Sequence, residues 1–225
     1  MTAMLCTIVA GCGSSSYKKA DITYTSINIL METKKDTVNA LGDVANTCVL
    51  VYDLEGNLLS ATPNTKGYED GKKLRYSGGM VARESIASVT VVFLDSSYNT
   101  LGVASKKIDT PDGKNATETY DMGTIYKPDE LAGKYSLEVK LLSESSYNVN
   151  FEAYLTTPEG RVQDVTSQST IMYTMQLTDW DSSNTEVLTN TTSGQGNFTV
   201  KGSGTTTITA TFADKISDTY SYTVK

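Results

Sequence analysis

The feature that most constrains this chain is its hydrophobic periodicity. Apolar and polar residues alternate with a period of two along residues 22–30 and 134–141, and further short strand-like runs lie at 48–52, 58–61, 88–94 and 101–107. A period of two sends successive side chains to opposite faces of an extended strand, whereas a helix needs a repeat near 3.6. The runs are short and broken by polar segments. Residues 53–57, Asp-Leu-Glu-Gly-Asn, and residues 95–100, Asp-Ser-Ser-Tyr-Asn-Thr, each read as the bend of a β-hairpin. Residues 111–114, Pro-Asp-Gly-Lys, mark a third turn. Only residues 128–131 offer a helical turn, with residues 36–45 forming another or a loop. The pattern predicts an all-β chain of antiparallel sandwiches.

Composition narrows the function classes. The 225 residues carry a formal net charge of -7 and contain three Cys and no His. The length suits one large or two small domains with a buried core. An acidic chain is a poor nucleic-acid binder, because it lacks the basic surface that displaces counterions. Without His there is no Ser-His-Asp or Cys-His catalysis, and no His-ligated zinc or haem. No cofactor and no catalytic residue is expected. The acidity is concentrated late in the chain, and the later segment is rich in Ser and Thr. The polar cluster Ser143-Glu144-Ser145-Ser146 therefore marks the expected boundary between domains at 20–143 and 144–225.

The amino terminus reads as an address. Residues 1–11 are mostly apolar and have no charged side chain. They are too few to span a bilayer as a helix, which takes about 20 residues, but they suit the apolar part of a secretory signal. They end in Val9-Ala10-Gly11-Cys12, which resembles the lipobox of bacterial lipoproteins. That resemblance implies a signal peptide at 1–11, cleavage before Cys12, and lipid attached to the Cys12 thiol. No Lys or Arg precedes Cys12, where the family carries a basic leader. Residues 12–19, with Gly13-Ser14-Ser15-Ser16, would form a flexible tether. The expected location is the cell envelope, outside the cytoplasm, with the membrane as a partner through the lipid anchor. Cys6 would leave with the signal, so Cys48 would have no disulfide partner. Its strand-like surroundings predict a buried, inert thiol.

The later segment carries a second resemblance. Residues 160–166, Gly-Arg-Val-Gln-Asp-Val-Thr, the run Trp180-Asp181-Ser182-Ser183-Asn184, and residues 202–211, Gly-Ser-Gly-Thr-Thr-Thr-Ile-Thr-Ala-Thr, follow in order. Together they resemble group 2 bacterial immunoglobulin-like domains, as found in intimin- and invasin-like adhesins. The resemblance implies an immunoglobulin-like sandwich at 144–225; residues 20–143 match no family and read from their strand pattern as a second such sandwich in tandem. Trp180 would plug the core, and Ile208, Ala210 and Phe212 would point inward. The family shares no catalytic residues. The expected role is adhesion, glycan or protein binding, or structural spacing. The alternative is an accessory binding subunit of an envelope polysaccharide-processing or transport complex.

Three places could carry a ligand. Asp53, Glu55 and Asn57 alternate oxygen ligands but lack the rest of a Ca2+ loop, so a solvated turn is the expected reading. Asp179 and Asp181 flank Trp180 and should share a strand face opposite its ring. The longest stretch that reads as irregular, residues 64–79, mixes Tyr, Lys and Arg, the side chains common at recognition surfaces. Tyr68, Arg75 and Tyr76 are its candidate ligand-binding residues, for a glycan or a surface protein.

Overall fold

A computed structural model describes residues 23–65, 67–166, 177–192 and 194–225. The lipobox, Cys12 and the tether lie outside these. The described chain is nearly all β. One four-stranded sheet contains β1 (Ser26–Lys34), β4 (Tyr68–Asp70), β5 (Lys73–Ala82) and β8 (Thr117–Asp121), in the order β4-β5-β1-β8. A second contains β2 (Asn46–Tyr52), β3 (Leu58–Asn64), β6 (Ser88–Leu94) and β7 (Thr100–Lys107), in the order β3-β2-β6-β7. A short helix, α1 (Lys35–Asn39), connects β1 to β2. Both hairpins read from the sequence form, β2 with β3 and β6 with β7. One pairing departs from the antiparallel expectation: β8 runs parallel to β1. The long excursion through the second sheet lets the chain return in the same direction, which a tight turn cannot do.

The later strands form two further sheets. One contains β9 (Ser136–Glu144), β10 (Asn148–Thr156), β11 (Val162–Asp164), β13 (Leu188–Asn190) and β14 (Asn197–Val200). The other has β12 (Thr178–Ser182), β15 (Gly204–Phe212) and β16 (Ile216–Val224), in the order β12-β15-β16. A 3-10 turn, Pro128–Glu130, precedes them. β9 pairs with β10 along its whole length, so the polar cluster at 143–146 sits at a hairpin bend and not in a linker. The Ser145 hydroxyl accepts hydrogen bonds from the backbone N–H groups of Tyr147 and Asn148, and its own N–H donates to the Asn148 carbonyl. Residues 136–144 thus pack with the later strands.

Strand alternation explains the burial. Ile208, Ala210 and Phe212 of β15 are fully buried. Trp180 packs edge-on against Phe198, with centroids 6.4 Å apart, and its indole N–H donates to the Thr166 carbonyl at 3.1 Å. At the edge of the first pair of sheets, the Asn64 side chain mimics a backbone ladder. Its amide donates to the Ser77 carbonyl at 3.1 Å, and its carbonyl accepts from the Ser77 N–H at 3.0 Å.

The second sheet is covered on both faces. Every residue of β6 is buried, as a strand sandwiched between two layers requires. From β2, Val49 and Val51 join Ile27, Ile29, Tyr76 and Phe93 on one side. Cys48, Leu50 and Tyr52 join Leu131, Tyr135 and Val165 on the other. That second cluster runs on without a break to Phe151, Trp180 and Phe212. A buried chain of polar groups crosses the same junction. The Tyr135 hydroxyl donates to Ser105 at 3.2 Å, Ser105 and Thr90 are 2.7 Å apart, and Thr90 donates to Gln163 Oε1 at 2.6 Å. The Gln163 amide then donates to the Ser88 hydroxyl at 3.0 Å. Each member satisfies the next, so a fully buried Gln sits there without an orphaned polar atom. The junction is clamped at both ends of the sheet. The Asp164 N–H donates to the Gly56 carbonyl and the Thr100 N–H to Asp214 Oδ2, both at 2.8 Å.

Candidate functional site

Residues 64–79 are mostly ordered strand, because β4 and β5 form a hairpin. The expectation of an irregular loop is corrected by its own alternation: in Lys73-Leu74-Arg75-Tyr76, Leu74 and Tyr76 are buried while their neighbours face outward. The three candidate residues therefore divide. Tyr68 and Arg75 are cross-strand partners on the outer face. Tyr68 is 71% exposed. Arg75 is held by Glu32 Oε2 at 3.2 Å and Asp70 Oδ2 at 2.8 Å. Lys73 also hydrogen-bonds Glu32 and, with Arg75, keeps the Glu32 carboxyl below its usual range. Tyr76 points inward and is only 3% exposed. Its ring meets Phe93 edge-on at 5.6 Å. Burial pushes its phenol up to about 12, partly offset by a hydrogen bond with Thr47. Tyr76 is a core residue, so an exposed three-residue cluster does not exist.

The inner face of the hairpin borders a cleft of about 240 Å³. Val38, Leu74 and Tyr76 form its floor with Thr47. α1 places Val38 downward and Lys35 and Asn39 at the rim. Asp43, Thr65 and Glu69 complete the rim, and Lys35 and Glu69 close one side through an ion pair at 2.7 Å. Gly67 runs over the phenol edge, where an added Cβ would lie 2.8 Å from Tyr76 Cζ. Of the three candidate residues, only Tyr76 borders this cleft, beside Thr65, Gly67, Glu69 and Leu74 of the same segment. The α1 side was not legible in the sequence, because Lys35 and Asn39 are far from Thr65 in the chain and only the fold brings them together. A broader cleft of about 760 Å³ lies between the β9–β10 bend and the end of β16. There Tyr222 donates to Glu144 at 2.6 Å, and Tyr147 projects with 77% exposure.

The acidic candidates are otherwise engaged or separated. Both Asp53 carboxylate oxygens accept from Asn57, one from its backbone N–H at 2.7 Å and one from its side-chain amide at 2.9 Å. Asp95 and Asn99 repeat this arrangement in the β6–β7 hairpin. Asp179 and Asp181 face outward on either side of Trp180. Partial burial, and then the Asp214 carboxylate, raise the Asp179 carboxyl. Among the described residues, no three or more His, Cys, Asp or Glu side chains group as a metal site. Cys48 is 2% exposed, and burial pushes its thiol up to about 12.

No protein-family model matches this chain, and no curated protein matches it in sequence. Among solved structures it is similar to a fimbrial assembly protein from Parabacteroides distasonis, with 11% identity, a TM-score of 0.31, and coverage of 89% of this chain and 86% of that one. It is also similar to the beta-glucuronidase of Parabacteroides merdae, with 9% identity, a TM-score of 0.28, and coverage of 80% of this chain. The chain spans 21% of that enzyme's length. The exo-chitosanase of Amycolatopsis orientalis matches with 12% identity and a TM-score of 0.21, over 89% of this chain and 24% of that one. Likeness at these levels carries no argument about substrate, activity or partner.

Proposed function

We propose that this chain is a lipid-anchored protein of a bacterial cell envelope, with a non-catalytic role in binding and spacing. Val9-Ala10-Gly11-Cys12, followed by the Gly-Ser tether, carries this reading. Lipid on Cys12 would hold the folded part at a membrane surface, since each buried CH2 contributes about 0.8 kcal/mol. Two sandwich units, the later one immunoglobulin-like, would stand on that anchor. The core shared across β2 and β6 supports a spacer that transmits position without flexing. The inner cleft of the first unit supports a binding role. Expression with labelled palmitate, followed by membrane fractionation, tests the anchor. The parent protein should be labelled and sediment with membranes, while a Cys12→Ser variant should be unlabelled and released. If parent and variant behave alike, the anchoring reading fails.

A further inference from the structure

We infer that the cleft between α1 and the β4–β5 hairpin takes a single neutral sugar ring, the terminal residue of a glycan. This deepens the binding role proposed above and rests on it. Size argues first. Pockets for drug-sized ligands run to about 300–1,000 Å³, and this cleft, at about 240 Å³, suits one small ring. It is too small for a helix or a multi-residue peptide.

The lining selects the chemistry. Val38, Leu74 and the edge of Tyr76 give an apolar floor. Asn39, Asp43 and Thr65 place an amide, a carboxylate and a hydroxyl around the rim. A pyranose has the matching form, with a C–H face and a belt of hydroxyls that donate and accept. Charge argues against an anion. The Lys35 ammonium is already paired with Glu69, and Asp43 adds a negative charge to the rim. With Lys35 and Glu69 cancelling, the rim keeps the net negative charge of Asp43, which would repel a phosphate or a uronate.

β1 begins at Ser26, and α1 follows its Lys34 end. Nine residues of strand span roughly 30 Å at about 3.3 Å each, so the cleft lies at the opposite end of β1 from Ser26.

Saturation-transfer NMR on the full-length protein, with methyl glycosides of glucose, galactose, mannose and N-acetylglucosamine, tests this. At least one should show transfer, with a dissociation constant in the millimolar range. Methyl glucuronide should bind at least several-fold more weakly. Thr65→Trp, at an exposed rim position, should abolish binding, and Asn39→Ala should weaken it several-fold. Circular dichroism confirms that each variant folds, and Asn39→Trp blocks the cleft from the other side should Thr65→Trp not fold. Tyr147→Ala, in the β9–β10 bend and outside the lining of this cleft, should leave binding intact. The inference is overturned if no neutral glycoside binds, if binding survives the blocking substitution, or if Tyr147→Ala removes it. Because binding is read in solution and anchoring by fractionation, either can fail without the other.

Discussion

Tyr76 shows how one position separates two readings of the same side chain. As a surface contact its loss would cost little stability. As a core residue packed on Phe93, its replacement by Ala should cost about 3–5 kcal/mol, the usual range for deleting a buried aromatic ring. Tyr76→Phe keeps the ring and should cost under about 1.5 kcal/mol, the net contribution of a typical hydrogen bond. Urea unfolding of the two variants checks both values. The buried phenols also set an alkaline limit. Tyr76 and Tyr135 titrate near 12 in the folded chain against an ordinary 10. The folded state therefore holds these protons more tightly than the unfolded chain does. Their stabilisation is fully present below pH 10 and is lost as pH rises toward 12. The urea midpoint should fall across that window, and fall less in Tyr76→Phe. Cys48 should resist iodoacetamide at pH 8 in the native protein and react once denaturant is added, as peptide mapping by mass spectrometry would show, because the thiolate is the reactive species.

At the scale of elements, turns and close approaches decide which strands can meet. Gly196 lies where an added Cβ would sit 2.1 Å from the Phe151 carbonyl oxygen. That contact lets the Phe151 N–H donate to the Gly196 carbonyl at 2.7 Å, so Gly196→Ala must push β14 away from β10. The variant should lose about 1–3 kcal/mol, as overpacking in a well-packed region does. Its Trp180 fluorescence should shift as well, since the ring's Cζ2 lies 3.1 Å from the same added Cβ. The paired Asp-Asn turns make a separate statement. Asp95 accepts from the backbone of Ser97 and Asn99 and from the Asn99 side chain, which holds its carboxyl below the usual range. Asp95→Ala should lower the melting temperature, and the deficit relative to the parent should shrink in acid, where the parent's carboxylate is protonated too.

For the whole molecule, the middle sheet is the decisive feature. A sheet with one wet face would let the earlier and later strands fold and melt separately. Here β2 and β6 give residues to both buried clusters, so separation would expose Leu50, Tyr52 and Val92 to water. Calorimetry should show one transition, with calorimetric and van't Hoff enthalpies in agreement. Gln163→Ala should lower that transition as a unit, by about 1–3 kcal/mol for each buried group left unpaired. Two resolved transitions in the parent protein would refute the shared core.

Much of the β-structure was legible in the sequence, because alternation and turn chemistry are local. The hairpins around Asp53–Asn57 and Asp95–Asn99, the inward set Ile208, Ala210 and Phe212, and the burial of Cys48 all follow from neighbouring residues. The outward-facing Arg75 and the inward-facing Tyr76 were legible by the same rule, although Gly, Lys and Arg gave their segment the composition of a loop. Other features depended on distant pairings. The sequence could not show that β9 pairs with β10 across a polar cluster, since Ser145 closes a bend as readily as it begins a linker. Nor could it show that α1 faces the β4–β5 hairpin across a cleft. The apolar content of β6 marked it as a strand, but only the tertiary structure supplied a cover for both of its faces. Side-chain periodicity says which faces avoid water, while the partner for each face is chosen by contacts between residues far apart in the chain.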